Sequence, residues 1–137
     1  MRISPTRAAL APILLVTLLF VAACSSSSGE VTGSVGKLDR KGLPPNAVIN
    51  VELRDTSPQD AAALTISTDA IELDGDQLPV PYVLEYDEDE IIEANTYTVF
   101  VRIEADGTLL YITDTAYPVI TRGNPTQAVE VLVVPVG

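Results

Sequence analysis

From Glu30 to the C-terminus, apolar and polar residues alternate in short runs broken by Gly, Pro, Asn and Asp. A period of two suits a strand with one buried face and suits no helix. Val31, Gly33 and Val35 open the series, and Lys41-Gly42-Leu43-Pro44-Pro45 ends it, because proline cannot donate to a ladder. Ile49, Val51 and Leu53 then share one face, with Asn50, Glu52 and Arg54 on the other. Further strands are expected over 64–73, 82–86, 97–104, 109–113 and 128–136. Asp55 to Asp60, Asp74-Gly75-Asp76 and Asp106-Gly107 supply turns, the last a tight hairpin signal. Only Pro58 to Ala63 reads as a turn of helix. About seven strands at this spacing predict an all-β fold, a single antiparallel β-sandwich or barrel.

The segment before this domain has a different pattern. Arg2 and Arg7 precede an apolar run from Ala8 to Ala23, and the sole cysteine, Cys24, follows Val21-Ala22-Ala23. A positive stretch, a short apolar core and small residues before a cysteine read as a bacterial lipoprotein signal. Residues 1–23 are then a signal peptide, and Cys24 is the lipidated first residue, its thiol acylated in the manner of a palmitate anchor. The alternative, a short transmembrane anchor with an incidental cysteine, suffers from length: the run falls short of the ~20 residues needed to span a bilayer. Ser25 to Gly29 reads as a polar tether, and 30–137 as the folded domain. Such a protein is exported and faces the periplasm or the cell exterior. Ser25 is not the aspartate associated with inner-membrane retention, so the outer membrane is favoured if the cell has two.

Composition narrows the chemistry. Removing 23 of 137 residues leaves 114, enough for one domain. The chain has no histidine and one cysteine, so Ser-His-Asp and Cys-His catalysis and the common zinc sites lack their residue types. Six bases against nineteen acids leave the 114 residues at −13, which repels nucleic acid and anionic headgroups. Asp87-Glu88-Asp89-Glu90 is the densest acidic run, but it has no glycine for the sharp turn of a calcium loop and reads as a solvated turn. No metal, cofactor or catalytic residue is expected, and the chain is not expected to be an enzyme. Phe100 stands out of phase with its neighbours, beside Thr98 and Arg102. Leu132 and Val134 likewise alternate against Val129, Val131 and Val133. Phe100, Leu132 and Val134 therefore mark a candidate partner-binding face, or a second sheet face covered by loops. A glycan or small-ligand module is the alternative, with Tyr82, Tyr86, Tyr111 and Tyr117 as candidate stacking rings.

Several segments, in order, resemble the YscW/YbaY-type lipoprotein family. They are Gly33-Ser34-Val35, Leu43-Pro44-Pro45-Asn46-Ala47, Val51 to Ser57 with Asp60, and Leu78-Pro79-Val80-Pro81-Tyr82 with Tyr86-Asp87. Tyr97 through Tyr111, Thr113 to Val119 and Thr121-Arg122-Gly123 continue the series. The resemblance covers 31–136 and implies an immunoglobulin-like sandwich on an envelope lipoprotein. One branch of that family serves as pilot or chaperone for the secretin ring of type III secretion systems, and this chain looks more like the other, YbaY-like branch. The family has no catalytic residues to carry over. The resemblance favours an assembly factor or pilot-like adaptor that works by contact with an envelope or secretion-system protein.

Overall fold

The computed structural model describes residues 27–137. Cys24, the signal segment and the first tether residues lie outside them. The described chain forms eight strands: β1 Ser28–Lys37, β2 Val48–Asp55, β3 Leu64–Glu72, β4 Val80–Asp87, β5 Tyr97–Ala105, β6 Thr108–Ile112, β7 Pro118–Val119 and β8 Val129–Pro135. The alternation seen in sequence is the burial pattern. In β2, Ile49, Val51, Leu53 and Asp55 are buried, and the residues between them are half-exposed. In β5, Tyr97, Val99, Val101 and Ile103 join the same core. The hairpin from β5 to β6 turns through Asp106 and Gly107, both at positive φ (51° and 75°), as a two-residue turn of matching twist requires.

The pairing differs from a sandwich of two antiparallel sheets. The strands follow one path, β3-β2-β5-β6-β8-β1-β4, with β7 beside β5, making a nearly closed, barrel-like sheet. β8 closes the path: its start runs parallel to β1, from Gly33↔Val129 to Lys37↔Val133, and its end pairs antiparallel with β6 at Ile112↔Val134. Alternation cannot report this, because the apolar period of a strand is the same whichever neighbour it takes. The eighth strand, β7, has only two residues. The stretch 58–63 forms no helix, and the only helical turn among the described residues is 3₁₀, Glu88–Glu90, within the acidic run.

β1 also begins earlier than the tether reading allows. Ser28 pairs with Asp87 and Gly29 with Tyr86, and the Glu88 N–H donates to the Ser27 carbonyl at 3.0 Å. A side chain at position 29 would collide with the Tyr86 ring, its Cβ 2.4 Å from Cζ, so the glycine leaves room for that aromatic to lie across the strand. The residues that look like a flexible linker are therefore partly strand.

The path stays open where β3 and β4, its two ends, face each other. Among the described residues one side-chain hydrogen bond crosses this seam: Asp69 on β3 accepts the Val83 N–H of β4 at 3.0 Å. Pro81 sits on the same strand and cannot donate, which further blunts the edge.

Candidate partner-binding surface

The three residues marked by their phase all point away from the core, but they do not form one compact cluster. Phe100 is half-exposed on β5, where it pairs with Glu52 of β2. Arg54, two residues along β2, lays its guanidinium over the ring at 3.7 Å from the centroid, and its Nε donates to Glu52 at 2.7 Å. The cation covers one side of the aromatic ring while staying paired, an arrangement worth about 0.5–1 kcal/mol at an exposed site. Next along the outer face come Arg102, paired with Ile112 of β6, and Val134, paired with Ile112 from β8. Val134 is half-exposed and Leu132, two residues before it, is 38% exposed. Leu132 lies opposite Gly36 of β1. The outer face thus carries a discontinuous apolar strip across β5, β6 and β8, interrupted by Arg102.

Tyr117 anchors that strip at the point where β8 and β6 diverge. Its hydroxyl accepts the Leu132 N–H at 3.0 Å and donates to the Leu132 carbonyl at 3.3 Å. The backbone of β8 is thereby satisfied by a side chain where no strand reaches it.

The four tyrosines considered for ligand stacking are structural. Tyr82 is buried, and its hydroxyl crosses β1 above Gly33 to donate to the Val129 carbonyl at 2.8 Å. Burial pushes its phenol well above the ordinary tyrosine range. Tyr86 is half-buried against Gly29, and burial followed by the charge of Glu88 raises its phenol as well. Tyr111 is buried beside Asp39, to whose carboxylate its hydroxyl donates at 2.8 Å. Burial first and the Asp39 bond second push Tyr111 up. The Lys37 ammonium lies 2.5 Å from the Asp39 carboxylate, and with Tyr111 it holds that carboxyl below the usual aspartate range.

The remaining motifs fold the loops at the other end of the barrel. Asp55, buried at the end of β2, accepts the Ser57 N–H at 2.9 Å and the Asn95 amide at 2.9 Å. Thr121 donates its hydroxyl to the Asn95 carbonyl at 2.7 Å, and Arg122 donates to the Ala94 carbonyl at 2.8 Å. In the acidic run, the Asp87 carboxylate caps the 3₁₀ turn by accepting the Asp89 N–H. Among the described residues no group of three or more Asp, Glu, Cys or His side chains converges as a metal site would require. Nor is any helix among them long and apolar enough to cross a membrane.

The model of one family, type III secretion system lipoprotein chaperone (YscW), matches residues 26–131, most of the chain. This chain belongs to the YscW family. Its similarity to the uncharacterized lipoprotein YbaY of Escherichia coli K12 is 33% identity over 107 residues. That match takes in 78% of this chain but 55% of YbaY, so the chain spans about half the length of that relative. Among solved structures, an alternative pilotin from the type II secretion system of Vibrio cholerae matches with a TM-score of 0.76 and 38% identity. The match covers 81% of this chain and 99% of the pilotin. The TM-score makes the overall fold common to this chain and the pilotin, and Phe100, Leu132 and Val134 lie on the outer face of that fold.

Proposed function

We propose that the protein is a lipid-anchored, non-catalytic envelope factor that acts by contact with another protein, as a pilot- or chaperone-like adaptor. The support is the 38% identity to a pilotin, in a match that covers 99% of the pilotin and 81% of this chain. In this reading residues 1–23 are removed on export and Cys24 carries the acyl anchor. The few residues to Ser28 keep the barrel close to the bilayer on its periplasmic or outer side, at the outer membrane in a cell with two. One acyl chain gives marginal membrane binding and two or more give a stable anchor. The partner is an envelope or secretion-system protein, and the acidity of the domain sets nucleic acid aside.

The contact is assigned to the outer strip of Phe100, Leu132 and Val134. Apolar side chains turned outward on a sheet cost solubility, and a partner that covers them recovers the burial energy, on the order of 25 cal/mol per Å². Affinity capture of the anchored chain from crosslinked cells tests the assignment. An envelope protein recovered with the native chain, reduced with Phe100→Asp and reduced with the unanchored Cys24→Ser chain, is the expected result. Recovery of no envelope protein above background would refute the adaptor role. Undiminished recovery with Phe100→Asp would move the contact elsewhere on the domain.

The glycan alternative has little to stand on. Tyr82 and Tyr111 are buried, and the hydroxyls of Tyr82, Tyr111 and Tyr117 are all committed to internal bonds.

A further inference from the structure

Strand β1 carries the chain about 30 Å, at 3.3–3.4 Å per residue, from Ser28 to a loop at the opposite end of the barrel. That loop is held in one shape. The Lys37 ammonium donates to the Asp39 carboxylate, to the Asp39 carbonyl at 3.1 Å and to the Lys41 carbonyl, which uses all three of its protons. Tyr111 donates to Asp39 from β6, as described above. Further along, the Gln77 amide mimics a strand: it accepts the Leu43 N–H at 2.8 Å and donates to the Leu43 carbonyl at 3.1 Å.

This frame holds out Leu38, which at 83% exposure is the most exposed large apolar side chain described, together with Arg40 and Lys41, both exposed. The other four bases among the described residues are engaged. Lys37 pairs with Asp39, Arg54 with Glu52 and Arg102 with Glu104, and Arg122 donates to a carbonyl. Arg40 and Lys41 are the two cations whose side chains make no ion pair or hydrogen bond among the described residues. They line a cleft of about 410 Å³ that also takes in Gly42, Gln77 and Leu78. In a domain so rich in carboxylates, an ordered loop that leaves two cations unpaired beside an exposed leucine is poorly explained by folding alone.

We propose that this loop is a docking surface for an acidic polypeptide segment, which sets an apolar side chain on Leu38 and pairs its carboxylates with Arg40 and Lys41. Two observations favour a polypeptide over other anions. Leu38 offers nothing to a free phosphate. The loop and Ser28 lie at opposite ends of β1, about 30 Å apart, so the segment that would lead to the Cys24 anchor enters the barrel at the end away from the loop. The hydrogen bonds of Lys37, Tyr111 and Gln77 already tie down the loop backbone, which lowers the entropy cost of docking on it. The acidic body repels such a segment at long range, but this repulsion is screened beyond about 8 Å at physiological salt, and a loop at the tip is where contact is least opposed. The proposal takes from the adaptor reading the class of partner, a protein, and the Cys24 anchor, and rests on different surface residues.

Fluorescence anisotropy of the full chain in detergent micelles, with a short labelled peptide of Glu-Glu-Leu repeats, tests it. The Gln-Gln-Leu counterpart and phosphatidylglycerol vesicles serve as comparisons. The acidic peptide is expected to bind at least about tenfold more tightly than its glutamine counterpart, a difference of ~1.4 kcal/mol. The double variant Arg40→Glu with Lys41→Glu, and separately Leu38→Asp, should each remove most of that preference. Phe100→Asp should leave it intact, which separates failure here from failure of the outer strip. All three positions are exposed, and the milder pair Arg40→Gln with Lys41→Gln repeats the test should the double reversal disturb folding. Equal binding of the two peptides, no loss in the variants, no binding up to about 1 mM, or loop-dependent binding to the vesicles alone would each overturn the proposal.

Discussion

At Gly33 a missing side chain decides how three strands meet. A Cβ there would lie 1.9 Å from the Val129 carbonyl oxygen, the same atom that receives the Tyr82 hydroxyl. Only glycine lets β8 approach β1 this closely while a tyrosine from β4 reaches across to bond it. Gly33→Ala is expected to destabilise the domain by about 3 kcal/mol, the upper part of the range for overpacking, read as a lowered denaturant midpoint. Tyr82→Phe keeps the ring and loses the bond, so its expected cost is only about 1 kcal/mol. Gly33→Ala with an unchanged midpoint would mean that β8 does not take the parallel place beside β1. In sequence, Gly33 reads as one member of an alternating run. Its role is set by a residue 96 positions away, and no local pattern carries that information.

At the scale of elements, the strands themselves were legible and their partners were not. Each predicted run corresponds to an observed strand, because burial of one face imposes the period of two. The Asp106-Gly107 hairpin followed from backbone conformation alone. The parallel join of β8 to β1 and the two-residue β7 left no such trace. The outer strip divides in the same way. The phase of Phe100 told that it points outward, whereas the Arg54 guanidinium over its ring depends on the register of β2 against β5, strands almost fifty residues apart. The open seam between β3 and β4 gives a test at this level. Asp69→Ala removes the side-chain hydrogen bond that crosses it and frees the Val83 N–H. Hydrogen exchange at the Val83 amide should speed up several-fold, in line with one lost bond of about 1 kcal/mol, while β2 and β5 stay protected. Unchanged exchange at Val83 would show that the seam is closed by other means.

The whole molecule should respond asymmetrically to pH. Tyr82, Tyr86 and Tyr111 have phenols raised above their unfolded value, near 10. Their neutral forms favour the fold, so that stabilisation is complete below about pH 10 and is lost as pH rises further. Asp39 has the opposite sign. Its lowered carboxyl contributes above about pH 4 and loses that contribution as pH falls through the folded value. The thermal midpoint is therefore expected to fall at alkaline pH, and Tyr82→Phe should show a shallower fall than the native chain. An identical fall in both would mean that the Tyr82 phenol does not contribute to the alkaline loss of stability.

The adaptor we propose is anchored through Cys24 and holds another protein against the outer strip of Phe100, Leu132 and Val134. It is tested most directly by placing a photo-crosslinking benzophenone residue at position 100 of the membrane-anchored chain, with position 60, on the loop before β3, as the control. A discrete adduct with one envelope protein is expected from position 100, absent from position 60 and lost when Cys24→Ser releases the chain from its anchor. The same diffuse background from both positions, with the chain correctly anchored and folded, would contradict it.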